Sequence, residues 1–331
     1  MAFQIAQYGT SHGHAAGKLQ SMLTNPLVEF VGVFEPDKAR RAALEDTTGP
    51  YAGIRWFNRA DDMLKDPKII AIASEGRNDE SLAQTEAIVR SGKHVWYDKP
   101  AGEDWIGWKR VVTMAEKEDL HIQMGYMFRY HDGFRKIAAW ARSGMLGNVF
   151  SIRAHMSTNI PVSARVVISA HRGGIFYDLA GHMLDQILWI LGRPVNVTAF
   201  LRNDTTEVPG FSDNGLGVFE FENAMATVDI AAMEPSPPAR RYEVYGTEGS
   251  AVLLEPFEPG SEIRLVLVED RNGFPAGESR VSVKSQNRQA LYDLELEAFI
   301  KSISREQSPD RSLSHELLVQ ETLLWATRGL S

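Results

Sequence analysis

Two stretches hold residues of the right type and spacing for proton chemistry. In His94-Val95-Trp96-Tyr97-Asp98-Lys99-Pro100 an apolar run stops at a lysine followed by proline. Proline has no N–H and a fixed φ, so it cannot continue a central strand, and Lys99 is expected at the strand's carboxyl end. In open α/β sheets that edge is where ligands bind. A partly desolvated lysine there can exchange protons near neutrality. The second stretch runs from Gly173 through Asp178 and His182 to Asp185. Asp178 and His182 are four apart, so on a helix they share a face. An aspartate beside a histidine can relay a proton or act as an acid–base pair. Leu179, Met183, Ile187 and Ile190 form another stripe, assigned to the core, and Tyr177 is a further proton donor.

A third group surrounds the first predicted strand, Phe3-Gln4-Ile5-Ala6-Gln7-Tyr8. Gly9-Thr10-Ser11-His12-Gly13-His14 follows it, then a helical stretch to Leu23 and a second strand, Val28-Glu29-Phe30-Val31-Gly32-Val33-Phe34, ending at Glu35. This βαβ unit has the size of a dinucleotide-binding motif, roughly 30 residues. Its first turn would aim backbone N–H groups and a helix N-terminus at a pyrophosphate, and Glu35 is placed to accept hydrogen bonds from a ribose diol. The turn departs from the glycine fingerprint: Ser11 and His14 stand at the second and third glycine positions. His12, His14, His155, His171, Asp178 and His182 are candidate metal ligands. No pair of histidines has a known zinc spacing, so no metal is expected.

The elements that would position these groups alternate in the first half. Arg55-Trp56-Phe57, Ile69-Ile70-Ala71-Ile72-Ala73, His94-Val95-Trp96-Tyr97 and Leu120-His121-Ile122-Gln123-Met124 read as strands. Residues 38–45, 59–64, 80–91 and 104–120 read as helices. Such alternation predicts a parallel, doubly wound sheet. Past Gly125 the character changes. After a helix at 134–143, strands are expected at 149–156, 195–200, 215–222, 225–231, 241–245, 250–254 and 263–268, joined by hairpin-type turns into an antiparallel sheet. Two helices, 291–304 and 314–328, close the chain. Arg153, His155 and Ser157 alternate on one strand face. Arg153, His155, Arg165, His171 and Arg172 are candidates to line a pocket, and their charge would suit a carboxylate.

The 331 residues fit two domains, and the formal net charge of −8 without a basic block argues against nucleic acid as partner. With no cysteine, disulfides, thiolate metal sites and thiol catalysis are excluded. The start of the chain runs into a strand with no basic leader, and no apolar run is long enough to span a membrane; cytoplasmic location is the expectation.

Taken together, Gly92-Lys93-His94-Val95…Asp98-Lys99-Pro100, Gly125-Tyr126-Met127-Phe128-Arg129-Tyr130 and Gly174…Asp178…His182…Asp185 resemble the glucose–fructose oxidoreductase/inositol dehydrogenase (Gfo/Idh/MocA) family over essentially the whole length. Asp98 replaces the family's usual glutamate, Ser74-Glu75-Gly76 replaces Thr-Pro-Asn, and Ala180-Gly181 shifts a glycine. The resemblance implies an α/β fold: an N-terminal Rossmann domain (1–125) binding NAD or NADP, of which Glu35 makes NAD the stronger expectation by repelling a 2′-phosphate, and a C-terminal α+β domain (126–331) with a large, mostly antiparallel open-faced sheet. The C-terminal helix has the option of packing back on the first domain. It implies catalytic roles for Lys99, Asp178 and His182. Cofactor contacts are expected from Gly9, Thr10, Ser11, His12, Gly13, His14, Glu35, Ser74, Lys99 and Pro100. Substrate contacts are expected from Lys99, Arg129, His155, Arg172, Asp178 and His182. The implied partners are a small carbohydrate or polyol and further copies of the chain, as a homodimer or homotetramer through the sheet. The leading activity is hydride transfer between a secondary alcohol of a sugar, cyclitol or sugar acid and NAD(P). The alternatives are a hydrolase or lyase using tightly bound NAD in transient oxidation, and a redox-inactive cofactor-binding regulator. Lys99 and His182 are expected to meet between the domains.

Overall fold

The computed structural model describes residues 2–45, 48–254, 256–260 and 262–330. The chain divides into two compact units, Met1–Gly125 with Tyr292–Leu317, and Tyr126–Leu291 with Leu318–Ser331.

The first unit alternates strand and helix: β1 (Phe3–Tyr8), α1 (Ala15–Thr24), β2 (Val28–Phe34), α2 (Lys38–Glu45), α3 (Ala60–Leu64), β3 (Ile69–Ser74), α4 (Ser81–Arg90), β4 (His94–Tyr97), α5 (Trp105–Lys117) and β5 (Ile122–Met124). The five strands form a parallel sheet in the order β2-β1-β3-β4-β5. β3 and β4 read as unbroken apolar runs because both of their faces are covered. Asp104 fixes the start of α5 by accepting the Gly107 N–H at 2.9 Å. Arg55-Trp56-Phe57, expected as a strand, reaches the sheet only as an isolated bridge from Trp56 to Val33. Two backbone bonds tie it there, Val33 N–H to the Arg55 carbonyl and Phe57 N–H to the Val33 carbonyl, too few to propagate a ladder.

The second unit begins with a short 3-10 turn, Met127–Tyr130, followed by α6 (Asp132–Arg142), β6 (Val149–His155), α7 (Val162–Ile168) and α8 (Gly174–Leu191). Seven strands complete it: β7 (Asn196–Arg202), β8 (Asn214–Glu220), β9 (Met225–Ala231), β10 (Arg241–Gly246), β11 (Gly249–Leu253), β12 (Glu262–Leu267) and β13 (Gly277–Ser282). They form, with β6, one eight-stranded sheet in the order β13-β12-β11-β10-β6-β9-β8-β7. Every neighbouring pair is antiparallel except β6 and β9. The sheet is therefore large and mostly antiparallel, with alternating burial along each strand.

α8 packs on the buried face of this sheet. The single apolar stripe expected for it is too narrow: Ile175, Phe176, Ala180, Leu184 and Leu188 are buried along with Met183 and Ile187, while Leu179 and Ile190 are only half-buried. Phe176 and Leu184, both fully buried, contribute about 1.5–3 kcal/mol each.

β13 and α7 were not expected. β13 is polar, with Val281 its one large apolar residue, as suits an edge strand; Glu278 pairs across to Arg264 on β12. α7 leaves Val166 and Val167 exposed, so its sequence lacks a periodic buried face.

Two helices end the chain, α9 (Arg288–Ile303) and α10 (Leu313–Ala326). Residues of α9 return to the first unit: Leu296, Phe299 and Ile300 share a core with Ile5, Met22, Ala71, Ala73 and Trp96. α10 starts in the first unit and continues in the second. No helix among the described residues is long and apolar enough to cross a membrane.

Candidate active site

In the first unit the strand order reverses between β1 and β3. The turns after β1, β3 and β4 lie at the carboxyl edge around that switch point, where open α/β sheets bind ligands. The Gly9–His14 turn is pressed against the chain after β3. Gly9 has φ +81°, and a Cβ there would lie 2.7 Å from the Gly76 nitrogen, so both backbone conformation and space demand glycine. The His12 N–H donates to the Glu75 carbonyl at 3.0 Å. The N–H groups of Ser11 and Gly13 have no acceptor among the described residues. Two such amides in the turn that opens α1 suit an anion, and in that respect the turn fits a dinucleotide's pyrophosphate.

Glu35, at the end of β2, is 4% exposed. Its carboxylate accepts the Thr10 hydroxyl at 2.6 Å and the Asp37 N–H at 3.0 Å, which fixes it beside the turn with lone pairs to spare. Arg40 folds back over this edge. Its Nε donates to Thr10 Oγ1 at 2.7 Å and its Nη2 to the Thr10 carbonyl at 2.6 Å. Ser74, fully buried, accepts a hydrogen bond from the Thr85 hydroxyl at 2.9 Å.

Behind the turn lies a buried charge cluster. Asp98, 3% exposed, faces His12 Nδ1 at 3.2 Å, His14 Nδ1 at 3.0 Å and Lys18 Nζ at 3.1 Å, all at Oδ2. Lys18 also reaches Glu75 Oε1 at 3.0 Å. Gly125 makes room for this aspartate, since a Cβ there would sit 2.7 Å from Asp98 Oδ1. Burial pushes the Asp98 carboxyl up, but His12, His14 and Lys18 outweigh it and hold the group well below the usual carboxylate range. Burial drives His14 down to about 4. Burial lowers His12 too, yet Asp98 and Glu75 leave it raised. Glu75 is pushed up to about 7 and Glu295 to about 8, both chiefly by burial.

His14 stands where the glycine fingerprint would have its third glycine. Its ring leaves the helix–strand contact and lies between Asp98 and the Tyr292 ring on α9, 5.3 Å away. Lys99 follows Asp98 directly, 3% exposed, with its backbone N–H donating to Asp98 Oδ1 at 2.8 Å. Pro100 ends the strand segment and is buried.

In the second unit, His182 on α8 is 2% exposed, and its ring makes T-shaped pairs with Tyr126 and Phe128 at centroid distances of 6.4 and 5.2 Å. Asp178, one turn earlier on α8, is half-buried. Tyr177 is buried and stacks on His171 at 5.3 Å. Asp185, the third acid of the motif, is fully buried and accepts from Arg129 Nε at 3.0 Å, while the Arg129 guanidinium lies 3.8 Å from the Trp189 ring centroid. The positive charge of Arg129 is thus engaged within the core of this unit.

The remaining sequence candidates are dispersed. His155 is hydrogen-bonded to Asp229 through one ring nitrogen and to Glu234 through the other at 2.8 Å, on the open sheet face. Arg165 is tied to Glu207 and the Ile160 carbonyl. Arg172 is exposed and donates to the Arg328 carbonyl. Arg153 lies over the Tyr245 ring. Lys18, Glu75 and Glu295 join the site without being legible in the sequence, because charged residues at helix and loop positions carry no sign of full burial.

Comparison with known proteins agrees with this layout. Residues 4–126 match a family model described as an oxidoreductase family with an NAD-binding Rossmann fold, and residues 134–252 match the GFO/IDH/MocA C-terminal domain. The rhizopine catabolism protein MocA of Rhizobium meliloti is 25% identical over 229 residues, spanning 68% of this chain and 70% of that protein. A 1,5-anhydro-D-fructose reductase of Ensifer adhaerens is 22% identical over 287 residues, spanning 85% and 82%. A solved oxidoreductase from Desulfitobacterium hafniense superposes with a TM-score of 0.82 over 99% of this chain and 95% of its own, at 18% identity. A Rossmann-type first unit and a large mixed sheet in the second, matched in order by two models of one family, mean that the chain belongs to the Gfo/Idh/MocA oxidoreductases.

Proposed function

We propose that this chain is a dehydrogenase that transfers a hydride between a secondary alcohol of a sugar, cyclitol or sugar acid and a nicotinamide dinucleotide, with NAD preferred over NADP. The observation that carries the reading is the pairing of a dinucleotide-type edge with a buried lysine on it. Glu35, the open Ser11 and Gly13 amides and Lys99 all belong to carboxyl ends of strands in the same parallel sheet. The anhydrofructose reductase among the relatives supports a small polyhydroxylated substrate.

The turn at 9–14 would hold the pyrophosphate, with Glu35 on the adenosine ribose hydroxyls and Ser74, Lys99 and Pro100 lining the same edge. When bound, the nicotinamide supplies the hydride acceptor. Lys99 donates a hydrogen bond to the substrate oxygen and steadies negative charge developing there. His182 accepts the hydroxyl proton at a ring nitrogen, a role suited to a group that ordinarily titrates near neutrality. Asp178, one turn away on α8, orients or charge-balances the pair. His155 and Arg172 are the proposed further substrate contacts; each would have to leave its present partners, Asp229 and Glu234 for His155 on the open sheet face and the Arg328 carbonyl for Arg172. Arg129 would reach substrate only by leaving Asp185.

A screen of sugars, polyols and sugar acids with NAD and with NADP, read by nicotinamide absorbance, tests the proposal. Net accumulation of reduced cofactor with one of these substrates supports it. Substrate turnover with no net change in nicotinamide would contradict it and favour transient oxidation by a retained cofactor.

A further inference from the structure

Two imidazoles and a carboxylate converge at the carboxyl edge of the first unit's sheet. One ring nitrogen each of His12 and His14 and an Asp98 oxygen all lie within 4.8 Å of one another. The measured separations are 3.2 Å from His12 Nδ1 to Asp98 Oδ2 and 3.0 Å from His14 Nδ1 to the same oxygen. Glu75 Oε2 is 3.8 Å from His12 Nδ1. Donors bound tetrahedrally at about 2.0–2.1 Å stand roughly 3.3–3.4 Å apart, and the three separations bracket that figure.

Charge and hydrogen bonding point the same way. Asp98, Glu75 and Glu295 are three carboxylates, each at most 3% exposed, with Lys18 on the first two and the charges of Lys99 and Arg311 also acting on the cluster. Burial disfavours the ionised form of each, and a further cation among them would favour it. Lys18 faces Oε1 of Glu75, while Oε2 makes no hydrogen bond to a described residue. His12 Nδ1 accepts the His14 backbone N–H at 3.2 Å. The same atom faces two carboxylate oxygens, Asp98 Oδ2 at 3.2 Å and Glu75 Oε2 at 3.8 Å. A cation among these atoms would be held by all of them. The donors come from three places that only the fold unites: the turn after β1, the chain after β3 and the end of β4.

We propose that His12, His14 and Asp98, with Glu75 Oε2 as fourth donor, bind one divalent transition-metal cation of the zinc class. A two-imidazole, two-carboxylate set without thiolate suits such an ion, whereas magnesium and calcium favour all-oxygen shells. The site shares the turn at 9–14 with the proposed dinucleotide site, but it does not rest on the dehydrogenase reading, and its test uses no enzymatic assay. The Lys18 ammonium, 3.1 Å from Asp98 Oδ2, competes with the cation and keeps the affinity below that of a lysine-free site.

The full chain, dialysed against EDTA and then freed of chelator, is titrated calorimetrically with Zn²⁺ at neutral pH. Co²⁺ serves as a spectroscopic probe in parallel. The expected result is one Zn²⁺ per chain and an intense visible Co²⁺ band of tetrahedral type. His12→Gln and His14→Gln should each weaken Zn²⁺ binding at least about 10–100-fold and abolish the band. His155→Ala, which removes the other acid-paired histidine, should change neither. The wild-type Co²⁺ spectrum decides the matter even if a variant fails to fold. Absence of one-to-one binding, an octahedral Co²⁺ spectrum, unchanged affinity in both glutamine variants, or loss of binding in His155→Ala would each overturn the proposal.

Discussion

Replacing Arg129 with methionine separates a structural from a substrate-binding role for this residue. In the second unit the Arg129 and Asp185 side chains are 2% and 0% exposed. Methionine keeps much of the stem volume but leaves the Asp185 carboxylate buried beside Gln186 Nε2 at 2.9 Å, without its cation. Removing one partner of a buried ion pair costs about 3–5 kcal/mol, and the lost guanidinium contact with the Trp189 ring adds roughly 0.5–2 kcal/mol. For a unit of this size each kcal/mol lowers the unfolding midpoint by about 2–4 °C, so a fall on the order of 10 °C is expected. The Arg129→Met/Asp185→Leu double variant should recover much of that loss, because no buried charge is left unpaired. Thermal and urea unfolding of the four proteins of the cycle measure it. A single-variant loss under about 1 kcal/mol, or strict additivity in the double, would contradict a structural role for the pair. Unchanged stability with a raised KM would move Arg129 to the substrate.

Three further outcomes are expected. Glu35→Ser should shift selectivity toward NADP at least about 10-fold, since relieving even ~1.4 kcal/mol of repulsion is tenfold and Arg40 already lies at that edge; unchanged ratios of kcat/KM for the two cofactors would contradict it. Glu295 is raised to about 8 in the folded chain by burial, against an ordinary value of 4.5. Its contribution to stability is therefore full below about pH 4.5 and lost as pH rises through about 8, so Glu295→Gln in EDTA should flatten the decline between pH 5 and 9; parallel curves for the two proteins would count against it. The open face of the eight-stranded sheet leaves Phe200, Leu216 and Met225 exposed on neighbouring strands, and a homo-oligomer is expected to cover them. Light scattering at micromolar concentration should give a multiple of the chain mass, and Leu216→Asp should lower it; a monomer mass in the wild type would end that expectation.

Much of the scaffold was legible in the sequence because it rests on local rules. β2, α2, β4 and β9 begin and end where apolar periodicity and turn residues say they should. The strand–helix alternation of the first half and the hairpins of the second follow from the same signals. β13 was not legible because an edge strand can be polar, and Arg55-Trp56-Phe57 misled because three apolar-rich residues do not reveal how few partners they find. The buried cluster was hidden for a different reason. His14 and Asp98 lie 84 residues apart, and no local spacing announces their contact. Lys18 and Glu75 look like solvated charges until the fold closes over them. Asp185 was visible as part of a motif, but its partner Arg129, 56 residues away, was read as a substrate contact because pairing in a core leaves no mark on either residue's neighbours.

The dehydrogenase account stands most directly on Lys99. With the substrate and cofactor identified by the nicotinamide screen, kcat/KM of Lys99→Ala and of His182→Ala is measured beside dinucleotide affinity and the unfolding midpoint. Each variant is expected to lose roughly 10²–10⁴-fold, with folding and dinucleotide binding retained. A folded, dinucleotide-bound Lys99→Ala protein that oxidises the substrate at near the wild-type rate would contradict the catalytic role of Lys99.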